Sequence, residues 1–152
     1  MLSFVAKNTA LYAVRACVIG AIMAALTIVT WTVFGPMQVH DIPTVAIVKS
    51  SLSGAYLSLL FGLVPAVVSG AVLSLSLVVM PPIERNPYLR SAVALALGWV
   101  AMFVFLHYVF QLNRGLTNWE VFEHPGVLAL FGAFIGAVAG YAEPRRRRAR
   151  AI

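Results

Sequence analysis

Residues 51–79, SLSGAYLSLLFGLVPAVVSGAVLSLSLVV, contain no charged side chain, and their reading decides the fold. A helix needs about 20 apolar residues to cross roughly 30 Å of hydrocarbon, and this run exceeds that. Pro65 divides it. The portion after Pro65 is only about 15 residues, or about 22 Å at 1.5 Å per residue, too short for a span of its own. One long helix kinked at Pro65 is therefore expected, with the proline leaving the carbonyl of Phe61 without its usual donor.

Working outward, three further apolar stretches qualify, at about 16–34, 91–112 and 126–142. The first stops at Gly35-Pro36, the second at Met80-Pro81-Pro82, and the fourth before Glu143-Pro144. Proline cannot continue a helix beyond its first turn, so these dipeptides act as boundaries. Residues 44–48 extend the second helix outward or form a short interfacial segment. Of all 152 residues, 61% are hydrophobic and 11% charged. That leaves too little polar surface to cover a water-soluble globule of this size. The expected fold is an all-α membrane protein, a four-transmembrane-helix bundle forming a single polytopic domain.

Charge sets the expected orientation. Lys7, Arg15, Arg85, Arg90 and the tail arginines Arg145, Arg146, Arg147, Arg148 and Arg150 all fall on one side of a four-span chain. The connections on the other side carry Asp41, Glu120 and Glu123 beside Lys49 and Arg114. The positive-inside rule then puts both termini in the cytoplasm, with 143–152 a basic cytoplasmic tail held to anionic lipid. A bacterial inner membrane is the expected location. Lys7 and Arg15 ahead of a long apolar run fit an uncleaved signal anchor. The net charge of +6 is so segregated along the chain that topology explains it better than nucleic-acid binding does. Trp31, Tyr108 and Trp119 fall near the expected outer boundary, and Tyr12, Tyr88 and Tyr141 near the inner one, where amphipathic rings prefer to lie.

Small residues recur every four positions in the second helix, at Ser50, Gly54, Ser58, Gly62, Ala66, Gly70 and Ser74. The fourth helix carries a matching line of Gly132, Gly136 and Gly140, and the first has Ala16, Gly20 and Ala24. Positions four apart lie nearly above one another, so each series makes a thin ridge along which two backbones can approach closely. Two uses are open: holding the helices of one chain together, or docking a helix of another chain.

Signs of chemistry are few. All five carboxylates, Asp41, Glu84, Glu120, Glu123 and Glu143, fall in connections or at helix ends, whereas proton-coupled carriers hold an ionisable group inside the membrane. Small multidrug exporters need such a carboxylate. Cys17 is the only cysteine, which excludes paired-thiol chemistry. His40, His107 and His124 lack metal-ligand spacing, and neither a metal nor a cofactor is expected. Lys49, His107, Gln111 and Asp41 are expected near one depth at the outer side, as a polar patch for a partner or an anionic solute; alternatively His107 bonds between helices while Lys49 snorkels. Residues 111–125, with Trp119 and Phe122, suit a contact surface or the headgroup layer.

No enzyme active site is recognisable. The expectation is a non-enzymatic protein that binds another membrane protein or a membrane-inserting, toxin-like polypeptide through small-residue helix faces, or associates with itself. An immunity protein against a pore-forming or depolarising toxin matches this description in size, basic charge and helix count, an analogy of general form. A small oligomeric carrier or channel is the alternative, and an enzyme acting on lipid comes third.

Overall fold

The structure is a computed structural model that describes residues 2–34, 43–112 and 125–142. Asp41 and the tail arginines lie outside these residues, as does most of 111–125, and Gln111 is described by its backbone alone. The described chain is almost entirely helical: α1 (Leu2–Phe34), α2 (Thr44–Val79), the short α3 (Pro81–Arg85), α4 (Pro87–Leu112) and α5 (Pro125–Tyr141). By length and composition α1, α2 and α4 can each cross a membrane, while α5 is shorter.

Helix α1 starts well before residue 16. Hydropathy marks where a chain becomes apolar, but the helix continues through Lys7, Asn8 and Arg15 because no proline or glycine interrupts residues 2–15 and Ala6, Ala10, Leu11 and Ala13 are good helix formers. Helix α2 runs unbroken from Thr44 to Val79 with Pro65 inside it, so residues 44–48 belong to the helix. At its end the Met80 amide donates to the Ser76 carbonyl at 2.8 Å, and the next two prolines open α3. Asn86 then caps α4: its Oδ1 accepts from the amides of Tyr88 at 2.9 Å and Leu89 at 3.3 Å, with Pro87 in the first turn, where its missing N–H is harmless.

The helices form two antiparallel pairs, α1 with α2 and α4 with α5, joined along α2 and α4. Thr9 lies opposite Ser74 and Ile28 opposite Gly54. Arg90 meets Gly140, and Gly98 meets Gly132. Ser69 of α2 donates to the Leu97 carbonyl of α4 at 3.3 Å, and Phe61 faces Phe105 with ring centroids 6.4 Å apart. These contacts bring the start of α1 and the ends of α2 and α5 to the same end of the bundle as the start of α4. That end is called the inner end below.

Side chains are sorted by size in the reverse of a soluble bundle. The core cluster consists of Tyr12, Ala13, Ala16, Ala66, Leu73, Ala94 and Ala139, whereas Val18, Ile22, Leu60, Leu63, Val104 and Phe134 are exposed. Small residues inside let helices approach closely, and large apolar residues outside suit lipid. The buried residues of α2 all lie between Pro65 and Leu77, in its inner half, while α4 and α5 add Leu106 and Ala129 to the core further out.

Candidate functional site

The small-residue ridges are occupied within the chain. A Cβ added at Gly98 would run into the Gly132 carbonyl oxygen, one at Gly136 into the Ala94 carbonyl oxygen, and one at Gly140 into the Ala94 Cβ. At Gly132 it would lie 2.7 Å from both the Gly98 oxygen and the Met102 Cβ. The α5 ridge therefore packs backbone to backbone on the α4 series Arg90, Ala94, Gly98 and Met102, and Ser91 adds a hydrogen bond from its hydroxyl to the Ala137 carbonyl at 2.8 Å.

The α2 ridge meets α1 along most of its length. Gly54 receives the Ile28 side chain, Ser58 approaches Gly20, Gly70 receives the Tyr12 ring, and the Thr9 hydroxyl donates to Ser74 Oγ at 3.4 Å. Ala66 is buried in the core. Gly62 differs: nothing lies within 4 Å of where its Cβ would be.

The outer polar residues are set apart. Lys49 is exposed on α2, in a shallow groove with Val48, Leu52, Ser53 and Tyr56, and His107 does not line it. His107 is exposed on α4 and stacks on Phe103, ring centroids 6.1 Å apart, as Phe103 stacks on Trp99 at 5.2 Å. The pairing of Phe61 with Phe105 places His107 level with Leu59. Lys49 lies about 15 Å further out along α2 at 1.5 Å per residue. Counting depth from helix ends misaligns the two, because α2 extends outward beyond α4.

The polar groups that converge are at the inner end. Arg90 is 3% exposed, and its guanidinium holds three carbonyls: Nε donates to Gly140 at 2.7 Å, Nη2 to Tyr141 at 2.8 Å and Nη1 to Glu84 at 3.1 Å. Two of these are the last carbonyls of α5, which have no partner within their own helix and favour a cation. Asn8 is buried beside it, its amide donating to the Phe4 carbonyl at 3.0 Å. With Tyr12, Arg15 and Ser74, these residues line a cavity of about 30 Å³. Hydropathy and charge alone place Arg90 in the connection before the third apolar stretch and Tyr12 at the interface. A signal was present in both cases. Arg90 precedes Ala94 and Gly98 at a spacing of four, and Tyr12 precedes Ala16 and Gly20 likewise, so each lies on a packing face.

A second cavity of about 40 Å³ lies deeper, lined from all four long helices and including Tyr12, Cys17, Ser58, Gly62 and Ser69. Among the described residues no group of three or more His, Cys, Asp or Glu side chains is placed to hold a metal ion. In comparisons with known proteins the chain matched no family model, no curated protein and no solved structure.

Proposed function

We propose that the chain is a non-enzymatic four-span protein of a bacterial inner membrane, with both termini cytoplasmic, and that it binds another membrane protein or a membrane-inserting polypeptide at its outer end. Helix directions alternate along the bundle, and Lys7, Arg85 and Arg90 gather at the inner end, with Arg15 reaching the cavity there from further along α1, as the positive-inside rule asks of a cytoplasmic face. Helix α5, with 17 residues, is about 26 Å long, a shortfall that local thinning of the bilayer accommodates.

One observation carries the partner-binding reading. From Arg90 to Leu112, α4 covers about 33 Å, close to the hydrocarbon thickness. In the register set by Phe61 and Phe105, Leu112 is level with Gly54. Residues 44–53 of α2 therefore continue about 15 Å beyond the outer end of α4. Beyond α4 the extension has α1 beside it for part of its length and shows exposed apolar side chains among Lys49 and the serines: Val45 is 77% exposed, Leu52 67% and Val48 53%. A hydrocarbon layer as thick as α4 is long would end short of these side chains, and beyond it an apolar partner surface suits them better than water. The glycine faces are occupied internally, which moves the expected contact from the ridges to this tip. A toxin-like polypeptide neutralised at the membrane, as by an immunity protein, is the partner class that size and charge favour.

Photo-crosslinking from positions 48 and 52 in native membranes tests the reading. Adducts with a second polypeptide are expected there, and none from position 22 on the exposed face of α1. Adducts confined to lipid or to a copy of the chain would refute it.

A further inference from the structure

The deeper cavity, of about 40 Å³, lies where the two helix pairs meet, and each long helix turns at least one glycine to it, Gly20, Gly62, Gly98 and Gly136 among them. Two hydroxyl groups on its lining, those of Tyr12 and Ser58, have no hydrogen-bond partner among the described residues. Tyr12 is 6% exposed, and its hydroxyl lies 3.2 Å from where a Cβ of Gly136 would sit. Gly136 lines this cavity and not the inner one, so the hydroxyl is turned to the deeper space. The Ser58 Oγ lies 3.1 Å from the corresponding point at Gly20, which belongs to the same lining. Ser51, Ser69 and Ser76 of α2 each donate to the carbonyl four residues earlier, at 2.9, 2.6 and 2.9 Å, and Ser58 does not.

The lining decides what such a space holds. None of its described residues is charged, and an ion there would face a low-dielectric wall with no counter-charge. A cavity walled by hydrocarbon alone stays dry, whereas one bordered by hydroxyls takes up water, which needs about 10–15 Å³ per molecule and two or more polar partners. There is room for about three molecules. The Tyr12 and Ser58 hydroxyls can each donate and accept, and the Ser69 oxygen, whose hydroxyl donates toward the Pro65 and Leu97 carbonyls, can still accept. From Tyr12 to Gly20, the residue beside Ser58, α1 rises about 12 Å, a length that about three waters and their hydrogen bonds of about 2.8 Å cover.

We propose that the deeper cavity is a water-binding site within the bundle, holding a short row of ordered waters with the Tyr12 hydroxyl at its inner end and the Ser58 hydroxyl at its outer end. The row joins α1 to α2 beside Pro65, at the level where the α2 ridge meets nothing within 4 Å of a Cβ at Gly62. This stands apart from partner binding at the outer tip, and either can fail alone.

A crystal structure of the unsubstituted full chain grown from a lipid mesophase reads the site directly. Density within hydrogen-bond distance of the Tyr12 hydroxyl that no protein atom accounts for is expected, and an empty cavity, or one filled by a lipid tail, overturns the proposal. Tyr12→Phe in detergent provides a second check. The ring stays against Gly70 and only the hydroxyl is lost. Water held there then loses a partner, and the melting temperature is expected to fall by about 3 °C. In a dry cavity the hydroxyl is a buried group without a partner, and removing it raises the melting temperature. A melting temperature that rises or stays level therefore overturns the proposal as well.

Discussion

The two helix pairs use glycine in opposite ways. Between α4 and α5 the glycines bring backbone onto backbone: Gly98 faces the Gly132 carbonyl and Gly136 the Ala94 carbonyl. Between α1 and α2 they are sockets for large side chains, Gly54 for Ile28 and Gly70 for Tyr12. The chemistry of the ridge is the same, but what it touches differs in its freedom to move. A carbonyl held in a helix cannot turn aside, whereas the end of an isoleucine can take another rotamer. The α4–α5 contact is therefore expected to be rigid and intolerant, and the α1–α2 contact adjustable.

Substituting alanine for each glycine in turn sharpens that contrast. The largest effect is expected at Gly136→Ala, where the new methyl meets the Ala94 carbonyl oxygen and only separation of α4 from α5 relieves it. A loss of about 3 kcal/mol is expected, at the upper end for overpacking, read as the midpoint of denaturation in detergent. Gly98→Ala belongs to the same class. If either were as stable as the unsubstituted chain, the backbone-on-backbone account of this pair would be lost.

Arg90→Met comes next. It keeps much of the side-chain volume but leaves the Gly140 and Tyr141 carbonyls without their donor at the end of α5. A loss of about 2 kcal/mol is expected, from buried acceptors deprived of a charged partner. Arg90→Lys is expected to recover only part of it, because one ammonium cannot reach all three carbonyls in the planar geometry of a guanidinium. Helical content and melting midpoint followed together separate fraying of α5 from loss of the whole fold.

Gly70→Ala is intermediate. The added methyl lies 2.8 Å from Tyr12 Cδ1 and 3.2 Å from the Thr9 carbonyl oxygen, one neighbour that can tilt and one that cannot. About 1 kcal/mol of loss is expected. Gly54→Ala meets only the Ile28 side chain, and a change within about 0.5 kcal/mol is expected once that side chain turns. A larger penalty at Gly54 than at Gly136 would invert the comparison.

The helical class and the three long apolar helices were legible in the sequence, because hydropathy over some 20 residues is a sum that local detail does not disturb. Which ridge meets which helix was not. Gly54 and Gly136 look alike in a list of small residues at a spacing of four, and only the facing helix decides whether a carbonyl or a side chain fills the gap. Counting charge by side of the membrane makes Arg90 one more basic residue in a connection, because that rule is blind to whether the side chain points outward or across the bundle. Lys49 and His107 were placed together by counting from helix ends, and the unequal reach of α2 and α4 separates them. Each of these failures concerns how one helix is placed against another, which no single-helix pattern records.

Gly62 provides the one effect of opposite sign and the most diagnostic one. It belongs to the α2 ridge by spacing, yet nothing lies within 4 Å of its Cβ position, and it lines the deeper cavity. If spacing alone defined the packing face, Gly62→Ala would be as harmful as Gly70→Ala. Since nothing opposes the new methyl, the change is expected to stabilise the helix slightly, by up to about 1 kcal/mol, because alanine loses less backbone entropy than glycine on forming a helix. The same methyl narrows the deeper cavity. A midpoint that fell as far as at Gly70→Ala would show that spacing, and not the facing helix, sets the packing face.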